Sequence, residues 1–378
     1  MYQETPYRQC AISVMDTIAD PDITFDEKGI SNYYYNYLKA SAQLPASAEA
    51  GRKKLLLLSN EIKATGRSRP FDCIMGLSGG VDSSYVAWIA KDLGLRPLAV
   101  HFDNGWDSDA AEKNIRNVLA NTGFELQTIR MDEDEYRDIQ LAYLKASVVD
   151  IEAPTDHAIF TSLYKLAIKY KINYILSGTN FQTEFTMPKS WNFSKRDHIN
   201  IKAIHKAYGT LPLKTFPLMT VWMKRFQMNG VKSISVLHYV DYHKEKAKAI
   251  IARGLGWTDY GPKHFESIWT RFYQGYILPE KFGIDKRKCH LSDLIFSGQM
   301  TKEEALQELT KPVYDAAQFK NDYALVLEKL GLSENEFQDI MKLPLCSHYD
   351  FDYEMPVDKR YPVLKPVKKL YRLFFPVK

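Results

Sequence analysis

The 378-residue sequence predicts an α/β protein built on a parallel sheet, with an N-terminal appendage and a C-terminal helical domain. Three observations predict it. Between residues 71 and 178, short apolar runs alternate with amphipathic stretches, the pattern of βαβ units feeding a parallel sheet. The first of those runs ends in a turn rich in glycine and hydroxyl side chains that opens a helix. Beyond about residue 236 the apolar spacing becomes helical. With 45% hydrophobic and 25% charged residues, the chain is long enough for two or three packed units.

The N-terminal region, 1–65, is irregular to residue 32, carries the aromatic cluster Tyr33, Tyr34, Tyr35 and Tyr37, and closes on a helical stretch over 48–65. The central region, 66–235, holds the expected strands at 73–77, 97–102, 125–130 and 174–177, with helices at 83–93, 109–121 and 155–170. In such sheets ligands gather at the carboxyl ends of the strands, where the strand order reverses. The C-terminal region, 236–378, has its clearer helices at 242–254, 265–275 and 302–309, and its tail over 361–378 is assigned no function.

A formal charge of +4 is mild for this length and shows no concentrated basic stripe, so nucleic acid is not the expected partner. No run approaches the roughly 18 apolar residues of a transmembrane segment, and the start is too polar for a secretory signal; a cytoplasmic protein is expected. Cys10, Cys73, Cys289 and Cys346 form no close pair, which argues against both a disulfide framework and an intact metal knuckle.

The chemistry concentrates in Ser78-Gly79-Gly80-Val81-Asp82-Ser83-Ser84. Two glycines let the backbone approach a phosphate, three hydroxyls can donate to it, and the helix start adds partial positive charge. A Walker loop is excluded, because no Lys precedes the terminal Ser pair. After the strand ending at Ser177 comes Gly178-Thr179-Asn180-Phe181-Gln182-Thr183-Glu184. Asp82 and Glu184 together suit Mg²⁺, which accepts one or two carboxylates and keeps phosphate oxygens and waters; a solvated surface Glu is the plain alternative for Glu184. Asp103 and Asn104 end the second strand, where an adenine or ribose pocket is found, or where an Asx turn simply ends the strand.

The loop resembles the PP-loop of ATP pyrophosphatases such as GMP synthetase, NAD synthetase and asparagine synthetase, which have a Rossmann-like sheet. The resemblance implies that Ser78, Gly79, Gly80, Asp82, Ser83 and Ser84 hold the leaving pyrophosphate, that Gly178 and Thr179 lie near ATP, and that the substrate is adenylated. Thr155-Asp156, Ser190-Trp191 and the segments 200–205, 263–267 and 278–287 extend it over nearly the full length. Together they resemble the N-acetyl sugar amidotransferases of bacterial lipopolysaccharide O-antigen and related pathways. That implies adenylation of an acetamido group on a UDP-linked N-acetyl sugar, such as a 2,3-diacetamido uronic acid, and displacement of AMP by ammonia to give an acetamidino group.

No cysteine here stands in a glutaminase elbow, so ammonia is expected from a separate subunit; the resemblance implies glutaminase and cyclase-like partners similar to those of histidine biosynthesis. Lys202, His205, Lys263, His264, Arg271, Lys281, Lys286 and Arg287 offer cations to a diphosphate and a uronate carboxylate, and Trp191 can stack on a sugar or base. Catalytic roles fall to Asp82, Lys202, His264 and Lys286, with His264 as base toward ammonium, although no spacing separates it from His205 or His290. Family members commonly begin with a four-cysteine zinc knuckle; the matching positions here are Cys10, Ser13, Ser31 and Tyr34, so no zinc is expected. A tRNA-modifying PP-loop enzyme and a non-catalytic nucleotide-binding scaffold are the alternatives.

Overall fold

The computed structural model describes residues 6–261 and 265–355. Its N-terminal part is a small knuckle closed by bridges between Gln9 and Asp16 and between Phe25 and Ser31, followed by α1 (Asn32–Ser41) and α2 (Ala48–Gly66). The Ser47 hydroxyl accepts from the Ala50 amide and so caps α2.

The centre is a sheet of β1 (Cys73–Gly76), β2 (Pro97–Asp103), β3 (Glu125–Arg130), β4 (Tyr174–Ser177) and β5 (Lys232–Ser235). The strands are all parallel, in the order β3-β2-β1-β4-β5. Cys73, Ile74 and Met75 of β1 are wholly buried, as an inner parallel strand covered on both faces requires. Helices α3 (Val81–Asp92), α4 (Asp109–Thr122), α5 (Glu133–Ala146) and α6 (Ala153–Lys169) make the crossovers. Strand order reverses between β1 and β4, so the crevice of this fold opens at their carboxyl ends.

Two elements here went unread in the sequence. Strand β5 has the sequence Lys-Ser-Ile-Ser and therefore almost no apolar pattern. Helix α5 opens on Glu133, Asp134 and Glu135 and buries polar groups, among them Glu135, Asp138 and Gln140. Its face is defined by partners in later segments, where the Thr215 and Phe216 amides donate to Glu135 and those of Thr210 and Leu211 to Asp138.

The remaining chain is helical: α7 (Phe181–Glu184), α8 (His198–Tyr208), α9 (Lys244–Leu255), α10 (Ile268–Phe272), α11 (Leu278–Phe282), α12 (Arg287–Phe296), α13 (Lys302–Thr310), α14 (Ala316–Leu330) and α15 (Glu334–Met341). Capping boxes at Thr301 with Glu304 and at Ser333 with Glu336 start α13 and α15. One apolar cluster takes Met15 and Tyr33 from the N-terminal part, Ile139 and Tyr143 from α5, and Trp269, Phe272 and Phe337 from the C-terminal helices. The sequence boundaries at 65 and 235 are therefore not breaks in packing. No described helix is long and apolar enough to cross a membrane.

The knuckle keeps its shape with hydrogen bonds at the positions matched to zinc ligands. Cys10, Ser13 and Ser31 are wholly buried, and the Ser31 amide donates to the Cys10 sulfur at 3.3 Å. Tyr34 turns instead to the Phe296 ring, 5.4 Å between centroids. A donor set with one thiol does not fit structural zinc. Tyr37 packs against Phe181 and Phe185 at 4.5 and 5.7 Å, so the tyrosine cluster braces α7.

Candidate active site

At the β1/β4 switch point the chain forms a cavity of about 580 Å³, within the range of small-molecule sites. Ser78, Gly80, Val81, Asp82 and Ser83 form one wall, Ser177, Gly178, Thr179 and Glu184 another, and Ile159, Phe160, Leu163 and Tyr164 of α6 an apolar third. Gly80 is the N-cap of α3, so the start of that helix points at the cavity, the standard place for a phosphate. The Ser78 and Ser83 hydroxyls stand 3.2 Å apart at the mouth of the loop.

Gly79 has a different job from Gly80. Its φ is +76°, and a Cβ there would lie 2.4 Å from the Ala111 carbonyl oxygen. Its own carbonyl accepts from Asn114 Nδ2 at 3.2 Å and Trp257 Nε1 at 2.9 Å. Gly79 thus lets the loop press on α4, which fixes where Gly80 and Ser83 stand.

Asp82, in the first turn of α3, accepts from Asn180 Nδ2 at 3.2 Å and from the Tyr242 hydroxyl. Asn180 also caps α7, with its Oδ1 accepting from the Thr183 amide at 2.8 Å, and so ties the two phosphate-side loops together. Burial and the charges of Asp82 and Glu184 push the Tyr242 phenol far up, so it remains a donor. Tyr260 accepts from the Val81 amide at 3.3 Å and lies beside Glu266, which also lines the cavity.

Among the described lining residues, Asp82, Glu184 and Glu266 oppose the single cation Arg196. The two carboxylates at the phosphate end fit Mg²⁺, whose remaining positions water and phosphate oxygens fill. No cluster of three His, Cys, Asp or Glu side chains able to hold a metal by itself exists among the described residues.

Helix α12 supports this wall from behind. Asp293 accepts from the Phe185 and Thr186 amides at 2.8 and 3.0 Å, and His290 Nδ1 stands 2.9 Å from the Thr183 carbonyl oxygen. The C-terminal helices therefore set the position of Glu184.

Residues 72–179 match the asparagine synthase family, and residues 266–365 match the family described as LPS biosynthesis protein WbpG-like, C-terminal domain. Each match covers part of the chain, which is thus similar to asparagine synthase over its sheet region and to an LPS biosynthesis protein over its C-terminal helices. A curated relative, tRNA(Ile)-lysidine synthase of Chlamydia pneumoniae, is 34% identical over 71 residues, 18% of this chain and 22% of that protein. The chain thus spans about a fifth of that relative's length. Among solved structures, NMN synthetase from Francisella tularensis is 16% identical, with a TM-score of 0.37, over 76% of this chain and 97% of its own. The NH3-dependent NAD synthetase from Campylobacter jejuni, in complex with the nitrate ion, is 13% identical, with a TM-score of 0.33, over 79% and 98%.

At the switch-point cavity the structure brings together Ser78, Gly80, Asp82, Ser83, Gly178, Thr179 and Glu184. Other expected site residues are placed elsewhere. Ser84 is wholly buried, with its hydroxyl turned into the protein. Asp103 pairs with Arg130 at 3.1 Å and lines a separate cavity of about 510 Å³. Asp103 and Asn104 accept from the Gly105 and Trp106 amides, which is the Asx-turn alternative. Trp191 is buried in the main core and has no face free for a sugar.

The cations divide in the same way. His205 is buried against Asp138 at 2.8 Å. Arg271 is held by Asp322. Lys281 donates to the Ile340 and Met341 carbonyls at the end of α15. Arg287 bonds Asp285 and the carbonyls of Glu308 and Lys311. Each is committed to the fold. Lys202 is exposed on α8 and lines neither cavity. Lys263 and His264 lie outside the described residues. Lys286 stands close enough to lower the carboxyl pKa of both Glu152 and Asp156. Sequence reasoning missed Tyr260, Glu266 and Arg196 as cavity residues and Tyr242 as the partner of Asp82, and no local pattern marks any of them.

Proposed function

We propose that this ATP-using enzyme adenylates an acetamido group of a UDP-linked N-acetyl sugar, a 2,3-diacetamido uronic acid or close relative, and replaces its oxygen with ammonia. The products are an acetamidino sugar, AMP and pyrophosphate. The observation that carries the reading is the packing of the lipopolysaccharide-type helices onto the PP-loop cavity, where Asp293 and His290 of α12 bond the chain at Thr183, Phe185 and Thr186. The loop and the Asp82–Glu184 pair suit the β and γ phosphates with Mg²⁺, and the apolar wall of α6 suits a purine. Tyr242 and Asn180 orient the Asp82 carboxylate. Ammonia comes from separate glutaminase and cyclase-like subunits, and the reaction serves O-antigen assembly in the cytoplasm.

The test supplies ATP, Mg²⁺, ammonium and the acetamido nucleotide sugar. AMP and pyrophosphate in equal amounts support the reading, whereas ADP and phosphate overturn it. AMP release that requires tRNA in place of the sugar supports a tRNA-modifying enzyme instead, and no nucleotide turnover with any substrate leaves a binding scaffold.

A further inference from the structure

A second set of ionisable groups stands at the same edge of the sheet. Helix α6 packs on β1 and β4 and runs antiparallel to them, so its first turn lies over their carboxyl ends. Glu152 is its N-cap and Asp156 sits in that turn. One turn further on, Ile159 and Phe160 line the nucleotide cavity. Two other segments make the same passage. Glu266 lines the cavity, and Thr270, four residues later, donates to Glu152 Oε1 at 2.5 Å. Arg196 lines the cavity, and its neighbour Lys195 bonds Asp150 and stands 3.3 Å from Asp156.

The cluster also borders the second cavity. The Thr155 and Tyr136 hydroxyls are 2.6 Å apart, and Asn104 Nδ2 donates to the Tyr136 hydroxyl at 3.4 Å. Tyr136 and Asn104 both line that cavity. Asp156 keeps 43% of its side-chain surface although burial raises its carboxyl pKa, so the cluster is a recess that water reaches.

We propose that Glu152 is the base of the amidation step, taking a proton from the ammonia nitrogen as it attacks the adenylated acetamido carbon. The role rests on the function proposed above. One proton of ammonium passes to Glu152, and the freed lone pair forms the C–N bond. A second proton leaves to water, AMP departs with the C–O electron pair, and the amidinium keeps the positive charge. Burial raises the Glu152 carboxyl to about 7, opposed by Lys286, the Thr270 hydroxyl and Lys195 and reinforced by Asp156. A group titrating there exchanges protons well at neutral pH. Among the described residues, the other ionisable side chains facing it are the Tyr136 and Tyr273 phenols, which stay protonated.

The test splits the reaction, using a UDP-linked 2,3-diacetamido uronic acid. ATP–pyrophosphate exchange without ammonium reports adenylation, and amidine formation with ammonium reports the whole. Glu152→Gln keeps the oxygen that accepts from Thr270. It is expected to lower amidine formation at pH 7 by about 100-fold or more while exchange changes by less than about threefold. Hydroxylamine, largely unprotonated at neutral pH, recovers part of the loss. Lys286→Met moves the rising limb of the pH profile upward, a change that a merely structural role would not produce. Equal loss of exchange and amidination in Glu152→Gln, or full amidination, overturns the base role. Wild-type protein that shows no exchange with the sugar overturns the proposed function itself, and the base role with it.

Discussion

Replacing Arg271 with Met separates a structural ion pair from a substrate-gripping one. Its guanidinium reaches Asp322 through Nε at 2.6 Å and Nη2 at 2.7 Å, and Nη1 donates to the Phe265 carbonyl at 3.2 Å. The two side chains are 10% and 6% exposed, so water cannot replace a lost partner. Breaking a pair of this kind costs about 3–5 kcal/mol, because it strands a buried charge. Tyr314 also donates to Asp322, at 2.5 Å, so the stranded carboxylate keeps one hydrogen bond and Arg271→Met belongs near 3 kcal/mol. Asp322→Leu leaves the guanidinium with a carbonyl alone and belongs nearer 5 kcal/mol. The double variant replaces the pair by apolar groups and recovers most of the loss, leaving about 2 kcal/mol and hence a coupling of about 6 kcal/mol in the cycle. Urea unfolding followed by tryptophan fluorescence measures the stabilities, and steady-state kinetics measures KM for the nucleotide sugar. An Arg271→Met protein with a wild-type urea midpoint and a KM raised tenfold or more would refute the structural assignment.

Two further outcomes are expected. His157 donates through Nδ1 to the Lys195 carbonyl and accepts at Nε2 from the Met219 amide, so only its neutral form fits, and burial lowers it from 6.5 to about 4. His348, stacked on Phe193, is likewise lowered to about 4 by burial. A histidine depressed on folding stabilises above its unfolded pKa; this contribution falls away from pH 6.5 to 4, by about 3 kcal/mol for each ring. Glu152, raised to about 7, acts in the opposite direction over pH 4.5 to 7 and offsets part of the fall. Chemical denaturation across that range is expected to show net acid destabilisation that is smaller in His157→Gln; an unchanged pH dependence in that variant would contradict the burial argument. Gly79→Ala places a methyl 2.4 Å from the Ala111 carbonyl oxygen at a positive φ, which costs about 1–2 kcal/mol before the clash is counted. Because the loop must shift, ATP–pyrophosphate exchange is expected to fall about 100-fold. Normal exchange in that variant would show that loop placement does not depend on the contact with α4.

The sequence alone determined the parallel sheet, its phosphate loop and the helical C-terminal half, because each is written in short-range patterns. Apolar runs of strand length mark β1, β2 and β4, and seven consecutive residues from Ser78 to Ser84 carry the turn, the hydroxyls and the acid of the loop. The tertiary structure alone decided which polar side chains serve the site. Tyr242 meets Asp82 across 160 residues, and Trp257 reaches the Gly79 carbonyl across 178. An arginine bound to a buried aspartate and one free to grip a substrate look the same in sequence, since charge carries no periodicity that reveals its partner. Arg271, His205, Lys281 and Arg287 were therefore legible as cations but not as pieces of the fold. Glu152 lies ahead of the helix read from the sequence over 155–170, and only the tertiary structure closes three distant segments around it and Asp156 beside the nucleotide cavity.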